Sequence, residues 1–173
     1  MKINILINDL RWSKTKLQDT CERSFGLAMS VSDEMNFNPE VSILACNDKE
    51  ICELNEKFRG QNSPTNVLSW PEYELKSEIP GQPPRKMKAV VEEASRLTFI
   101  GNLAISFDRC STESKESEIT FDDHMTHILL HGCLHLLGFD HQNDLDANLM
   151  EGMEINLLSS IGIKNPYYGN YFG

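Results

Sequence analysis

Residues 131–141 read HGCLHLLGFDH, and this stretch organises the C-terminal half of the chain around three histidines. His131 and His135 stand four residues apart, so on a helix their side chains share one face. Gly138 lets the chain end that helix because glycine adopts a positive φ without steric penalty, and His141 then returns from the following turn. Three imidazole ligands leave one coordination position open, so the spacing predicts a catalytic and not a closed structural metal site.

The three imidazoles alone leave the identity of the metal open. Zinc is the expected ion, while nickel, copper, iron and cobalt also accept nitrogen ligands. The same spacing occurs in metzincin proteases, which carry a glutamate directly after the first histidine as the general base. Gly132 occupies that position here. Loss of a general base lowers a rate by roughly 10²–10⁴-fold, so the pattern disfavours peptide hydrolysis by that mechanism.

The residues around the three histidines offer candidates for supporting roles. His127 lies four residues before His131 on the same helical stripe, so it is either a ligand or a pocket residue that supports a ligand. Asp140 and Asp144 flank the third ligand, and either could orient an imidazole N–H. The alternative for both aspartates is an ordinary turn or N-cap role. We expect His124 to be a partly exposed surface histidine.

The composition is that of a globular protein with an acidic surface. The 173 residues carry a formal net charge of −10, which argues against tight non-specific binding to nucleic acid, DNA included. No apolar run approaches the roughly 20 residues that span a bilayer, and the first residues do not resemble a signal peptide. We therefore expect a cytoplasmic protein without a membrane partner. The five cysteines show no C-x-x-C spacing and are expected to be free thiols.

Hydrophobic patterning predicts strands that alternate with helices in the first half of the chain and two helices at its end. Strands are predicted at residues 3–8, 40–46, 66–70 and 99–106. Helices are predicted at residues 13–36, 47–58, 121–137 and 145–160, the second of them with a capping box.

Two polar stretches separate these elements. Residues 72–97 contain three prolines and predict an exposed loop or hairpin tip, and residues 111–123 are acidic and polar. The order of elements indicates a single α/β or α+β domain over residues 1–173, with a mixed, mainly parallel four-stranded sheet packed by helices. The metal site then lies on a helix of the C-terminal half and on the turn after it.

Three motifs resemble those of the YbeY endoribonuclease family, also called rRNA maturation factors. The histidine stretch, residues 131–141, is similar to the family's signature. Residues 54–71, LNEKFRGQNSPTNVLSWP, resemble the second family motif, and residues 100–106, IGNLAIS, resemble the strand before the histidine helix. The motifs follow the family's order and cover the chain from about Val41 to Met153.

The resemblance implies a single-strand-specific, metal-dependent endoribonuclease. Such an enzyme acts in ribosomal RNA maturation, including the 3′ end of 16S rRNA, and in ribosome quality control. The family's metal ligands carry over as His131, His135 and His141, with His131 also counted as catalytic, and its functional arginine carries over as Arg59. A guanidinium can clamp a phosphate with two hydrogen bonds and stabilise charge that develops on it.

The mechanism expected from this resemblance places the scissile phosphate on Arg59 and lines the cleft with residues from Thr65 to Ser69. The metal either lowers the pKa of a water or polarises a phosphate oxygen. Attack by water and attack by the RNA 2′-hydroxyl both stay open. The expected partners are single-stranded RNA, the small ribosomal subunit, a small-subunit ribosomal protein and a ribosome-assembly GTPase.

The chain departs from the family pattern at Asn62, Asn66 and Asn102, where family members often have aspartate. Residues 72–97 also look longer than usual, so no function is assigned to their basic residues, among them Lys88. Two alternatives stay open. One is a ribosome assembly factor whose metal only holds the fold together, and the other is a metal hydrolase of a peptide or a small phosphoester.

Overall fold

Four strands and five α-helices make up the described part of the chain, which in this computed structural model comprises residues 1–31, 38–87 and 97–168. The strands are β1 (Lys2–Ile7), β2 (Asn38–Cys46), β3 (Val67–Pro71) and β4 (Leu97–Ser106). The helices are α1 (Leu17–Ser30), α2 (Asp48–Arg59), α3 (Phe107–Glu116), α4 (Phe121–Leu136) and α5 (Asp144–Ser160). Among these described helices, none has the length and apolar character that crossing a bilayer requires.

The strands form one mixed sheet in the order β1-β2-β4-β3. β1, β2 and β4 are parallel, with Ile5 opposite Ile43 and Ile43 opposite Leu103. β3 runs antiparallel to β4 at one edge. Parallel neighbours need a crossover connection, and α1 lies in the connection between β1 and β2. The predicted mixed, mainly parallel four-stranded sheet packed by helices is confirmed.

The two faces of the sheet are covered unequally. α1 and α4 pack together over one face, in the main core that includes Phe25, Ile43 and Leu129. The other face carries a small second core, whose buried members are Cys46, Ile51, Leu68 and Ala104. Ile51 comes from α2, the helix that packs against β3 and β4 on this side. The sheet therefore holds α4 firmly on one face and leaves much of the other face open.

The predicted helix over residues 13–36 begins later than expected. A 3-10 helix over Leu10–Lys14 comes first and holds Trp12 in the core, where the indole N–H donates to the carbonyl of Cys46 at 2.9 Å. This buried anchor breaks the helical run, so α1 starts only after the turn. Residues 32–36 of the predicted helix lie outside the described residues.

Helix α3 is absent from the predicted elements. Its sequence, FDRCSTESKE, buries only Cys110 and Ser114 in its interior-facing positions, so its apolar periodicity is too weak to read. The helix is fixed instead by polar contacts at its start. The hydroxyl of Ser106 donates to the carboxylate of Asp48 at 2.5 Å, and the N–H of Asp48 donates to Asp108 at 3.1 Å. Tertiary hydrogen bonds rather than local pattern place this helix.

The predicted exposed loop over residues 72–97 is exposed only in part. Its described portion, residues 72–87, contains neither an α-helix nor a strand, yet Leu75 and Met87 are buried in the main core. The prediction is wrong for these two side chains because the loop folds back onto the turn after α4. Residues 88–96 lie outside the described residues.

Arg11 joins the 3-10 helix to the start of α3. Its guanidinium lies 2.6 Å from a carboxylate oxygen of Asp9 and 2.6 Å from one of Asp108. The hydrogen bonds from Arg11 hold the pKa of both carboxyls below its ordinary value. We expect Arg11→Gln to lower the free energy of unfolding by about 1 kcal/mol near neutral pH, after allowance for solvent screening of these partly exposed groups.

This stabilisation depends on pH in a direction set by the lowered carboxyl pKa. The contribution is complete above the ordinary value of 3.8 and is lost as the pH falls through the lower value of the folded protein. Urea unfolding of parent and Arg11→Gln should therefore differ more at about pH 7 than at a pH well below 3.8. An equal difference at both pH values would contradict the ion-pair explanation.

Candidate metal centre

Helix α4 carries the first two predicted ligands and lies close to the sheet. Its N-terminus is capped by the hydroxyl of Thr120, which accepts the N–H of Asp123. In its last turns Gly132 faces the sheet, where an added Cβ would sit 3.1 Å from a methyl of Leu103 and 3.2 Å from one of Val67. Gly132 stands where metzincins carry their general base, and in this chain it lies at a close contact between the helix and the sheet. A glutamate there would require Leu103 and Val67 to shift, which adds to the case against that protease mechanism.

Gly138 ends the helix and turns the chain toward His141. Its φ is +90°, a conformation that side chains with a Cβ rarely adopt. The space is closed as well, since an added Cβ would lie 2.6 Å from the Cβ of Leu75 and 2.7 Å from its carbonyl carbon. Both the backbone conformation and the packing of the 72–87 segment therefore require glycine at this turn.

Gly138→Ala tests this turn. We expect the free energy of unfolding to fall by about 2 kcal/mol, from the positive φ together with the contact against Leu75. Because the turn delivers His141, metal affinity should fall with stability. Thermal unfolding and competition for zinc against a chelating dye would measure both. Gly152→Ala, in the middle of α5 with open space around its Cβ, is the matched control and should not destabilise the protein. Parent-like behaviour of Gly138→Ala would contradict the prediction.

The structure brings His131, His135 and His141 together as one group. Their ligand atoms all lie within 4.8 Å of one another. The ring centroids of His131 and His135 are 4.6 Å apart, and that of His141 lies 5.2 Å and 5.0 Å from theirs. His141 is exposed and the other two are half-buried, so the group opens to solvent on the side of the turn. This is the arrangement expected of a centre that a substrate can reach.

Hydrogen bonds at Nδ1 decide which ring nitrogen carries the proton. His131 Nδ1 lies 2.8 Å from Oε1 of Glu154, and His135 Nδ1 lies 3.0 Å from the carbonyl oxygen of Phe139. Both partners are acceptors in their ordinary states, so we assign the proton to each Nδ1 and a lone pair to each Nε2. The two Nε2 atoms face each other at 3.1 Å. Two lone pairs at this distance repel unless a shared proton or a metal cation lies between them.

A metal cation fits this arrangement better than a proton. Burial lowers the pKa of His135 to about 4, with further lowering from His131 and His141, so its ring is neutral near neutral pH. Two nitrogen ligands on a tetrahedral zinc ion stand about 3.3 Å apart, close to the observed separation. Neutral imidazoles with free Nε2 atoms are also the form that binds transition metals. The donor set therefore suits a transition metal.

Glu154 is the main residue of the centre that the sequence patterns did not predict. Its side chain comes from α5 and is fully buried. It contacts Nε2 of His127 and Nδ1 of His131 at 2.8 Å each, and it accepts the phenol O–H of Tyr167. Burial opposes its ionisation, but the hydrogen bonds with His127 and His131 outweigh burial and lower the pKa of Glu154 to about 2. One signal was available, because Glu154 continues the buried stripe of Met150.

His127 is placed by this carboxylate. The structure groups His127, His131 and Glu154 as a second set of potential ligand atoms. The 2.8 Å contacts of this set are those of hydrogen bonds, with Glu154 between the two rings. Of the two roles open to His127, a pocket residue that supports a ligand is the one that these contacts favour.

Of the two alternatives predicted for Asp140, the contacts favour the ordinary turn role, and Asp144 is not the N-cap of the last helix. Asp140 does not contact an imidazole: its carboxylate accepts from Lys76 at 2.5 Å and from the backbone N–H of His141 at 2.8 Å. The N–H of His135 is held by a main-chain carbonyl in its place, because the tight turn points that carbonyl at the ring. Lys76 belongs to the 72–87 segment, so the role of Asp140 is to pin that segment to the turn. Asn143, and not Asp144, caps α5.

His124 is buried, with 6% of its surface exposed, and the prediction of a partly exposed surface histidine is wrong. Its Nε2 lies 3.0 Å from Oε2 of Glu113. Glu113 belongs to α3, the helix absent from the predicted elements, which packs against α4. The same carboxylate oxygen accepts the amide of Asn66 at 2.8 Å. An aspartate at position 66 would place two carboxylates together, so asparagine suits this neighbourhood.

The residues expected to bind substrate do not form a close group as the three histidines do. Arg59 is the last residue of α2, before Gly60 ends the helix with a φ of +69°. It is exposed, and in the described part of the chain its guanidinium has no hydrogen bond or ion pair. Ser69, on β3, reaches helix α4, since its hydroxyl lies 3.4 Å from the carbonyl of Gly132. Thr65 is half-buried in the loop between them.

The other departures from the family pattern have simple surroundings. Asn62 accepts a weak hydrogen bond from the thiol of Cys52 at 3.3 Å. Asn102 is exposed on β4, on the open face of the sheet. Together, the fold and the histidine group define an α/β protein with a candidate transition-metal centre of the open, three-histidine kind.

Comparisons with known proteins agree with this class. The model of the family Endoribonuclease YbeY matches residues 3–162. A relative of that name from Ruegeria pomeroyi is 39% identical over 170 residues, which cover 96% of this chain and 98% of the relative. Another from Rhizobium etli is 35% identical over 177 aligned residues, covering 98% and 94%. The chain belongs to the endoribonuclease YbeY family, as predicted.

A solved structure supports the fold independently. The solution structure of a Thermotoga maritima protein matches this chain with a TM-score of 0.57 and 23% identity, over 92% of this chain and 88% of that one. The curated relatives are named endoribonucleases, that is, hydrolases that act on RNA. These names agree with the predicted activity.

Proposed function

We propose that this protein is a metal-dependent endoribonuclease that cleaves single-stranded RNA at the centre formed by His131, His135 and His141. The observation that carries the proposal is that the Nε2 atoms of His131 and His135 lie 3.1 Å apart, beside a third histidine on an open turn. Membership of an endoribonuclease family supports RNA as the substrate. We further propose that residues 1–173 work as one such domain.

The proposed metal is zinc, bound through the three histidines. When bound, such an ion supplies Lewis acidity toward a phosphate oxygen or a water molecule. The remaining roles fall to side chains of the protein. Glu154 holds the Nδ1 proton of His131 and thereby keeps its Nε2 free and oriented. The carbonyl of Phe139 does the same for His135.

Arg59 is proposed to bind the scissile phosphate. Its guanidinium is exposed and has no carboxylate partner in the described ranges, so it can accept a phosphate without first breaking an ion pair. Thr65 lies in the loop after α2 and Ser69 on β3, where its hydroxyl lies close to α4. Both are proposed to line the RNA path. Binding of the phosphate and stabilisation of the charge that develops on it are thus assigned to Arg59.

The biological setting is proposed to be ribosomal RNA maturation in the cytoplasm, at the 3′ end of 16S rRNA, and ribosome quality control. The net charge of −10 supports a substrate delivered within a particle, because an acidic protein attracts free RNA weakly. The proposed partners are the small ribosomal subunit, one of its proteins and a ribosome-assembly GTPase.

The test is cleavage of an end-labelled single-stranded RNA by the zinc-loaded protein. We expect cleavage that stops on chelation and returns with zinc, while a duplex of the same sequence stays intact. A 2′,3′-cyclic phosphate at the product end would assign the attack to the RNA 2′-hydroxyl. Failure to cleave both free RNA and small-subunit particles would contradict the proposal and favour an assembly factor without cleavage.

Arg59→Ala tests the phosphate role. Removal of one group that stabilises transition-state charge lowers kcat by on the order of 10²-fold, and we expect a loss of that size. Arg59→Lys should recover only part of it, because lysine cannot form the two parallel hydrogen bonds. Stability should be unchanged, since the side chain is exposed. The control is Lys49→Ala on the same helix, also exposed. Parent-like kcat and KM in Arg59→Ala would remove Arg59 from the site.

A further inference from the structure

The open face of the sheet carries a groove of about 650 Å³ that has no role in the metal centre. It exists because α2 covers only the part of this face above the second core. Apolar side chains from four elements line it, namely Leu6, Leu44, Leu54, Phe58 and Trp70. Leu6 is 62% exposed and Phe58 is 55% exposed. Large apolar side chains left open together on a protein surface usually mark a binding site.

Two aromatic rings form one wall of this groove. The centroids of Phe58 and Trp70 are 5.3 Å apart with an interplanar angle of 68°. Trp70 follows Ser69 on β3, and successive strand residues point to opposite faces. Ser69 contacts α4 on one face of the sheet, while Trp70 lines the groove on the other face. The edge strand β3 therefore lies between the groove and the side of the metal centre.

The charges at the aromatic wall of the groove favour an anionic ligand there. No lining residue is charged, although the chain as a whole carries a net charge of −10. At its aromatic wall the ammonium of Lys57 lies 5.2 Å from the ring centroid of Phe58, and Arg59 follows two residues later. Neither cation has a carboxylate partner within the part of the chain that is described. The amide of Asn102 offers donors and an acceptor in the groove, while that of Asn4 already donates one hydrogen bond to the carboxylate of Glu40 at 2.7 Å and keeps its oxygen as an acceptor.

We propose that this groove binds the bases of single-stranded RNA beyond the cleavage site. Phe58 and Trp70 provide the stacking surfaces, the two amides meet base edges, and Lys57 meets the backbone phosphates. Stacked aromatics beside cations are the combination used for single strands, and a duplex cannot present its bases in this way. The strand then passes around the β3 edge toward the histidines. The inference rests on the proposed function and adds a specificity surface to it.

The test uses the two tryptophans as reporters. Trp12 is fully buried and Trp70 lines the groove, so an RNA that stacks there quenches only Trp70. The probe is a 2′-O-methyl single strand of about 12 nucleotides, with a duplex of the same sequence beside it. The proteins are the zinc-loaded parent, Phe58→Leu and Trp70→Leu, which keep an apolar side chain and lose the ring. Leu10→Ala, at a 79% exposed position that does not line the groove, is the matched control.

We expect the single strand to quench the Trp70 fluorescence of the parent protein and the duplex to leave that fluorescence unchanged. Phe58→Leu should raise Kd for the single strand by roughly tenfold, measured by quenching of Trp70, which this variant retains. Trp70→Leu should do the same, measured by anisotropy of a labelled strand. In cleavage assays both variants should raise KM for a long substrate with little change in kcat, while Leu10→Ala behaves as the parent. Lys57→Ala, a surface change that does not threaten folding, should raise Kd as well.

The outcomes separate this inference from the proposed function. If the parent cleaves RNA, His131→Ala does not, and the groove variants bind and cleave as the parent does, the groove inference alone is overturned. The apolar groove would then be assigned to a protein partner. If the parent does not bind single-stranded RNA but cleaves small-subunit particles, the groove inference falls and the proposed function stands. If the parent cleaves neither free RNA nor small-subunit particles, the proposed function falls.

Discussion

Replacement of His131 by alanine is expected to abolish RNA cleavage, with a loss on the order of 10³-fold or more. His131 is a proposed ligand whose Nε2 lies 3.1 Å from Nε2 of His135 and whose Nδ1 lies 2.8 Å from the carboxylate of Glu154. Lewis acidity from a bound metal stabilises the transition state by several kcal/mol, and removal of a ligand forfeits most of it. Cleavage of labelled single-stranded RNA and zinc content after dialysis would be measured side by side.

The control for His131→Ala guards against a contaminating ribonuclease. Leu10→Ala, purified in the same way, should cleave as the parent does, because Leu10 is exposed and far in the sequence from the histidines. The fold of His131→Ala should persist, since the side chain is only half-buried. Equal cleavage by all three proteins would mean that the activity does not come from this centre.

Replacement of Glu154 by leucine is expected to produce the largest loss of stability, about 3 kcal/mol in the free energy of unfolding. The change leaves His127, His131 and the phenol of Tyr167 without their buried acceptor. Each buried polar group without a partner is unfavourable by about 1–3 kcal/mol. Because Glu154 also orients His131, zinc affinity should fall by about 10–100-fold.

A conservative variant separates the two effects of Glu154. Glu154→Gln keeps the size of the side chain and one acceptor oxygen, so it should retain more stability than the leucine variant and still bind zinc about tenfold more weakly. Tyr167→Phe removes one hydrogen bond from the carboxylate without touching a histidine, and should bind zinc nearly as the parent does. Parent-like zinc affinity in both Glu154 variants would show that the carboxylate does not position His131. Urea unfolding and dye competition provide the two measurements.

The positions of the elements follow from the sequence where the local pattern is strong. The capping box of Asn47 and Glu50 forms as predicted, and the histidine helix ends one residue before its predicted end. These features depend on neighbours within a few residues, so local rules describe them. Helix α3 lacks such a pattern, since its buried positions are Cys110 and Ser114. Its place depends on contacts with α2 and α4, which no local pattern records.

At the histidine group, too, some features follow from local spacing and others only from long-range packing. The i, i+4 spacing of His131 and His135 brings their rings together on any helix, and Gly138 with its positive φ allows the turn to His141. Glu154 is 23 residues from His131 in sequence and reaches it only because α5 packs against α4.

The sequence by itself predicted the three-histidine group, the family and a mixed, mainly parallel sheet, because each is written in spacing along the chain. The tertiary structure alone decided which groups hold the imidazoles, why His124 is buried, and which face of the sheet stays open. Those outcomes depend on which helices cover which face. Glu113, Glu154 and the Phe58–Trp70 pair take their roles from elements that pack together at long sequence separation.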